Sequence, residues 1–278
     1  MHVVRGLLGL IGALSVSALV STAAIAQSVA TFPAVPFVPS VSGGWTVSVG
    51  LGGQMQPSYP GANSSEFNPF PMFSMRRAGS PLRFRSMRDN ASIALIEMGG
   101  FRAGPVGAYR VQRKASDHRE TWGLRDVPYA IEIGGFAEYY PSDWLRGRVE
   151  VRRGFNGHEG IVAEFAADFI MPLTPQLIFA AGPRYTVTNA RAAEAYFNVS
   201  AAESLTSGLP IYNASGSSAI GAGGQLRYTI NRQWDVLGWV EYDRLLGSVA
   251  DSPLVTLGSR DQLKYGVGAN YSFDIGIQ

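Results

Sequence analysis

Two histidines are the side chains of this sequence best suited to acid–base or metal chemistry. His118 lies in the polar stretch 116–120, and His158 lies in the glycine-flanked stretch 157–160. They do not have the spacing of a metal-ligand pair, and the chain has neither a G-x-S-x-G nucleophile motif nor a cysteine. We therefore predict that both histidines lie in exposed polar loops. We also predict that the protein has no cofactor or metal and is not an enzyme.

A second set of reactive groups consists of acidic and basic residues at alternating positions of three consecutive segments. Its members are Glu132, Glu138, Arg146, Arg148, Arg152, Glu164 and Asp168. Side chains at alternating positions of a strand share one face, so these charges can pair across neighbouring strands around an enclosed interior. We interpret them as a salt-bridge ladder that stiffens a barrel. The alternative is a ring of charges that selects ions in a lumen.

The segments that carry these charges alternate apolar and polar residues over about ten positions, the length that a tilted membrane strand needs. The last segment is the clearest example, because Tyr265, Val267, Tyr271 and Phe273 alternate with small or polar residues. Such a face meets lipid in a membrane barrel, whose interior is polar. The pattern predicts an all-β fold, a transmembrane antiparallel β-barrel of about 12 strands. Tyr271 and Phe273 are the predicted terminal aromatic residues of the assembly signal.

The strand positions follow from the same alternation. They are 44–56, 66–77, 81–88, 91–98, 100–112, 128–140, 143–155, 160–171, 174–188, 217–230, 234–246 and 261–275. Short and long connections alternate, as they do when short turns face the periplasm and long loops face outside. The connection at Asp89 and Asn90 is too short for an outside loop. Removing the two strands beside it leaves the alternative of ten strands.

The amino terminus predicts export. Residues 1–26 have a basic start, an apolar run of about 15 residues and an A-x-A site, which together describe a signal peptide cleaved after Ala26. Residues 27–43 contain three prolines and form a predicted periplasmic linker, followed by the barrel at 44–278. The formal net charge is only +2 and no basic block occurs, so we expect no nucleic-acid partner. The predicted location is the cell outer membrane, with its lipid as the first partner.

One long connection, 189–216, contains the signals of a short helix. Ser200 and Glu203 have the spacing of a capping box, and Gly208 and Pro210 would end the helix. A folded connection of this length predicts a functional loop or a cover for the barrel mouth.

Three motifs lie in or beside the long connections. The first motif comprises Pro57, Tyr59, Gly61, Pro69 and Pro71; the second Tyr196, Phe197, Ser207, Gly208 and Tyr212; and the third Gly247, Ser252 and Pro253. These motifs resemble, in the same order, those of the MipA/OmpV family of outer-membrane proteins. The sequence departs from the family pattern at Asn198 and Ser248, where glycine and aspartate are usual. We interpret the motif residues as fixing loop shape.

The resemblance implies a scaffold that holds a periplasmic lytic transglycosylase, which degrades murein, near a murein synthase. The alternatives are a narrow passive pore and a surface adhesin. By strand parity the two most motif-rich loops face outside or fold into the lumen, whereas murein enzymes lie in the periplasm. A scaffold would therefore have to use the linker and the short turns.

Overall fold

The computed structural model describes residues 44–78 and 83–276, and their alternating segments form twelve strands. The strands are β1 (Trp45–Pro57), β2 (Ser65–Arg77), β3 (Ala91–Ser92), β4 (Ile96–Met98), β5 (Phe101–Arg110), β6 (Ala130–Ser142), β7 (Leu145–Asn156), β8 (Ile161–Pro172), β9 (Leu177–Asn189), β10 (Gly216–Thr229), β11 (Trp234–Leu246) and β12 (Asp261–Ile275). The predicted signal peptide and linker lie outside the described residues.

All neighbouring strands are antiparallel, and together they make a single wall. Its order is β2-β1-β12-β11-β10-β9-β8-β7-β6-β5-β3, with β4 also paired to β5. The first strand closes on the last, since Trp45 pairs with Ile275 and Met55 with Tyr265. The prediction of a transmembrane antiparallel β-barrel is confirmed. Ten of the strands are long, and each begins and ends within three residues of its predicted bounds.

Strand β12 shows how sequence alternation becomes two faces. Tyr265, Val267 and Phe273 are exposed on the outer face, whereas Gln262 and Asn270 are buried on the inner face. Exposed apolar side chains with buried polar ones reverse the arrangement of a water-soluble protein. This arrangement suits a barrel that has lipid outside and a polar interior.

The predicted strand at 81–88 is wrong, and this error changes the architecture. Residues 83–90, here called the lumen segment, form no strand and instead contact side chains inside the barrel. In a wall strand, one register would turn Arg83 and Arg85 toward lipid and the other would turn Arg88 there. A guanidinium on the lipid face costs about 2–4 kcal/mol at the bilayer midplane. Inside the barrel, carboxylate groups are available to pair with a guanidinium.

The lumen segment leaves a break in the wall between β2 and the β3–β4 region, here called the seam. The predicted strand 91–98 is divided into β3 and β4, and both pair with β5. Strand β2 pairs with β1 only, among the described residues. Pro69 and Pro71 lie within β2. Proline has no N–H to donate and is confined to sheet edges, so these motif residues suit a strand whose second edge is unpaired.

The predicted alternation of short and long connections holds except after β7, where residues 157–160 form a short connection at the end of the barrel that carries the long ones. Three α-helices lie in the long ones, namely α1 (Ala190–Phe197), α2 (Ala201–Ser207) and α3 (Pro253–Thr256). Single-turn 3-10 helices occur at Ala115–Asp117, Arg119–Thr121 and Gly247–Asp251. In the part of the chain that the structure describes, no helix is long and apolar enough to cross a bilayer.

The closing strand allows a test of the assembly signal. Phe273 lies on the lipid face, opposite Val47, and its ring stacks on Tyr271 at 6.1 Å. We expect Phe273→Asp to lower the amount of protein in outer-membrane fractions severalfold, because it removes an aromatic contact and places a charge against lipid. Immunoblotting of isolated membranes measures the level. Asp274→Asn, on the lumen face, is the control; equal loss in both variants would refute this role.

Candidate functional site

The lumen contains a network of buried ion pairs centred on Arg146, which is 0% exposed. Its guanidinium lies 2.5 Å from Asp89, 2.9 Å from Glu138 and 3.0 Å from Asp168. Arg184 binds the other oxygen of Asp168 at 2.7 Å. Three carboxylates around one arginine satisfy its donors, as a buried charge requires.

The same pattern continues toward the end of the barrel with the long loops. Arg148 pairs with Glu138 at 2.9 Å and with Glu150 at 2.7 Å. Arg152 pairs with Glu132 at 2.8 Å and with Glu164 at 2.6 Å, and it also contacts Glu150. The structure therefore places all seven predicted lumen charges on the inner face of β6, β7 and β8. There they contact one another in pairs of opposite sign.

The lumen segment adds charges of its own to this network. Arg88 lies 2.7 Å from both Asp243 of β11 and Thr186 Oγ1 of β9. Asn90 Nδ2 donates to Glu150 at 2.8 Å. The segment thus contacts β7, β9 and β11 across the interior. Extended alternation along β9 and β11 could have identified Arg184 and Asp243, but no pattern in the sequence places Arg88 or Asp89 inside.

His158 is also part of the interior, so its predicted exposed position is wrong. It is 4% exposed, and its Nε2 lies 3.1 Å from Glu132. The Gly160 amide donates to Nδ1 at 3.3 Å, which assigns the proton to Nε2. His158 therefore fixes a short connection to the wall. His118 is half-buried, with its ring 5.6 Å from that of Tyr59. Among the described residues, no group of three or more acidic, cysteine or histidine side chains could hold a metal ion.

The four long connections pack together at one end of the barrel and form what we call the cap. They are residues 58–64, 111–129, 190–215 and 247–260. Tyr59, Leu124, Val199 and Leu254, one from each connection, share one apolar cluster. Strands β5–β6 and β11–β12 lie on different sides of the wall, so loops from both sides can meet only across the mouth.

The residues of the first motif join the cap to the wall. Tyr59 is 3% exposed, and burial together with nearby Glu120 raises the pKa of its phenol. Gly61 has φ +95°, and its amide donates to Gln262 Oε1 at 3.0 Å. A Cβ at this position would lie 2.7 Å from Cγ2 of Val255. Glycine is therefore required both by the backbone conformation and by the close approach.

The second motif lies in and around helices α1 and α2 of the cap. Ser200 and Glu203 form the predicted capping box, and Gly208 ends α2 with φ 76°. Tyr196 accepts from Arg113 Nη1 through its carbonyl oxygen at 2.7 Å. The Tyr212 hydroxyl donates to the Ser248 carbonyl. The prediction of a short capped helix is confirmed.

The third motif attaches the last long connection to the second. Ser252 is completely buried, and its Oγ donates to the Phe197 carbonyl at 2.8 Å. Pro253 is the first residue of α3, where its missing N–H costs nothing. Gly247 has φ +67°. Most residues of the three motifs therefore stabilise the cap or the ends of the strands that carry it. They are dispersed through the cap and do not line one shared cavity.

Glu203 offers a test of the cap. Its carboxylate accepts from the amides of Arg125 and Ser200, each at 2.8 Å. Burial alone would raise its pKa, but the hydrogen bonds from Ser200 and Arg125 hold the pKa of Glu203 below its usual range. We expect Glu203→Ala to cost the cap about 2 kcal/mol and to speed tryptic cleavage after Arg125. Glu194→Ala, an exposed acid on α1, is the control; equal cleavage of both variants would contradict the assignment.

The lowered pKa also predicts a pH dependence. The stabilisation is present above the ordinary glutamate pKa, roughly 4.3, and is lost as pH falls through the lower value of the folded protein. The protection of the Arg125 amide against hydrogen exchange should therefore fall only below about pH 4.

Comparison with solved structures finds remote likenesses to other barrels. The N-terminal β-barrel domain of Pseudomonas aeruginosa OprF is 11% identical, with a TM-score of 0.31, covering 63% of this chain and 98% of that one. OmpT of Vibrio cholerae lacking loop L8, an outer membrane protein, is 11% identical with a TM-score of 0.33, covering 64% and 51%. A bacterial polysaccharide outer membrane secretin is 8% identical with a TM-score of 0.38, covering 82% and 98%. Similarity this low carries no argument about function.

Comparison with curated proteins finds no match. The family comparison is specific, because the sequence model described as "MltA-interacting protein MipA" matches residues 49–273. That range runs from the first strand to the last and includes the three motifs, the lumen charges and the seam. A chain with this barrel and this match is an outer-membrane protein, and it belongs to the MipA family.

Proposed function

We propose that this protein is a sealed outer-membrane anchor that holds a lytic transglycosylase near a murein synthase. The observation that carries the proposal is the network of paired charges across the interior. The lumen segment and the wall occupy it with paired charges, and the cap crosses the mouth. A barrel closed in this way is better suited to holding a partner at the membrane than to passing solutes. The family description, MltA-interacting protein, supports a partner that acts on murein.

The charges support a structural role for the interior. Acidic and basic side chains bind one another directly, so few charges are left to attract a passing ion. A narrow passive pore, the runner-up, would require the lumen segment to leave and the cap to open. We assign no catalytic role, because Glu132 is already bound by arginine and His158 by Glu132 and Gly160.

The proposal assigns the docking surface to the periplasmic side. In this proposal, removal of residues 1–26 after Ala26 makes Gln27 the first residue, and residues 27–43 are the periplasmic docking segment before the barrel at 44–278. Terminal sequencing that begins at Gln27 would support this processing, and a sequence that begins at Met1 would refute it.

In-cell crosslinking tests the scaffold. We expect crosslinking to capture a lytic transglycosylase and a murein synthase, and deletion of Ser28 to Gly43 to reduce the captured amount at least severalfold while the barrel still assembles. Leu205→Ala is the control, because Leu205 is the most exposed apolar side chain of the cap, at the opposite end of the barrel. If the control loses capture and the deletion does not, the docking surface is wrong. Steady conductance of the wild type in planar bilayers, without capture of a murein enzyme, would favour the pore.

A further inference from the structure

A cavity of about 520 Å³ opens on the surface of the cap, where three long connections meet. Its polar lining consists of Ser116, His118, Arg119, Glu120 and Ser207. Its volume is within the range of small-molecule sites, and its walls come from parts of the chain that are far apart in sequence. This cavity is separate from the lumen network and from the short turns at the other end of the barrel.

The most prominent side chain at the cavity is Trp122, which is 67% exposed although both flanking regions are fixed. Thr121 before it is fully buried, and its Oγ1 donates to the Ala115 carbonyl at 3.0 Å. Leu124 after it belongs to the apolar cluster of the cap. The backbone around Trp122 is therefore held in place, while a large apolar face of its indole remains open. Leu257, which is 62% exposed, lines the same cavity, so the two side chains form an exposed apolar patch of the kind that marks binding sites.

The walls of the cavity are joined by hydrogen bonds that form without any ligand. Thr206 Oγ1 donates to the Gly123 carbonyl at 2.7 Å, and the Arg125 amide donates to Glu203 at 2.8 Å. Gly123 has φ +83°, and a Cβ there would lie 2.9 Å from the Ser207 nitrogen. The connection that carries Trp122 thus packs directly on the end of α2. A preformed cavity avoids the cost of ordering its loops on binding.

The lining identifies the chemical class of the ligand. Arg119 and Glu120 carry opposite charges, and Ser116 and Ser207 carry hydroxyl groups, so donors and acceptors are both present without an excess of either charge. An ionic ligand would need one sign of charge, and a purely apolar ligand would leave these polar groups unpaired. A neutral ring with hydroxyl groups at its edge and C–H groups on its face satisfies both the polar groups and the indole.

We propose that this cavity binds a saccharide, with one sugar ring packed on the face of Trp122. Two sources present such rings near an outer membrane, the uncharged outer sugars of the lipopolysaccharide core outside and the glycan strands of murein in the periplasm. The strand parity that places the cap outside favours the first source.

The test measures binding to the purified full-length protein in detergent by isothermal titration. The probes are core oligosaccharide released from lipopolysaccharide and chitotriose, which represents the backbone of murein glycan. We expect at least one probe to bind the wild type, and Trp122→Ala to weaken that binding about tenfold, since removing an aromatic contact costs on the order of 1.4 kcal/mol. Trp122→Phe should retain most of the affinity.

Trp144→Ala is the matched control, because Trp144 is also exposed but lies in a short turn at the other end of the barrel. Slower gel migration after boiling shows that each variant has a folded barrel. Binding of core oligosaccharide alone assigns the site to the cell surface, and binding of chitotriose alone assigns it to murein; both support a saccharide site. If neither probe binds, or if Trp122→Ala binds as well as the wild type, the proposal is overturned.

Discussion

Replacing Arg146 with alanine is expected to destabilise the barrel by about 3–5 kcal/mol, the cost of removing one partner from a buried ion pair. The change leaves Asp89, Glu138 and Asp168 close together in the interior without the guanidinium that separates them. Part of the loss is repulsion among these carboxylates. The midpoint of urea unfolding, measured by gel mobility without boiling, should fall markedly.

Arg153→Ala is the matched control for this experiment. Arg153 lies on the same strand as Arg146 but is exposed on the outer face, where it contacts the ring of Phe155. We expect little change in its unfolding midpoint. Adding Asp168→Asn to Arg146→Ala should recover part of the lost stability, because one uncompensated charge is removed. If Arg146→Ala unfolds at the same urea concentration as Arg153→Ala, the interior network does not stabilise the barrel.

The second large effect is expected at Val267, near the middle of β12 on the lipid face. Val267 is 69% exposed, and its neighbours across the wall are Gly53 and Gly238. Val267→Arg would place a guanidinium in the apolar part of the bilayer, at a cost of about 2–4 kcal/mol. Folding yield into lipid vesicles and the urea midpoint should both fall.

Lys264→Arg introduces the same side chain on the same strand but on the inner face, where charges are already present. We expect it to fold with nearly wild-type yield. A similar loss in both variants would mean that the two faces of β12 are not lipid and lumen. A normal yield for both would argue that Val267 does not contact lipid.

The strands were predictable because the membrane imposes the same requirement on each of them. A side chain that faces lipid must be apolar, and its neighbours must be polar or small, so alternation persists through strands such as β10 and β12. The pairs between β6, β7 and β8 were also predictable, since consecutive strands bring their polar positions together. The alternation of apolar and polar residues within each strand is sufficient to predict both the strands and these pairs.

The lumen segment and the cap could not be predicted in this way, because their positions depend on contacts distant in sequence. Asp89 is buried because Arg146 is available 57 residues later, and Ser252 is buried because Phe197 approaches it. His158 has glycine neighbours that are typical of an exposed turn, yet Glu132 binds it inside. A local sequence pattern does not predict which side chain from a distant part of the sequence a residue will contact inside the barrel.

The position of the seam determines how the order of the strands in the sequence relates to their order in the barrel wall. The first and last strands are adjacent in the wall, because Trp45 and Ile275 are paired, whereas the break lies between β2 and β3. A circular permutant could join Ile275 to Trp45 by a short linker and be cut between β2 and the lumen segment. The order of the strands in its sequence would then match their order in the wall. Every wall pairing between long strands would then connect neighbours in sequence, and no hydrogen-bonded contact between strands would have to be broken to create the new ends.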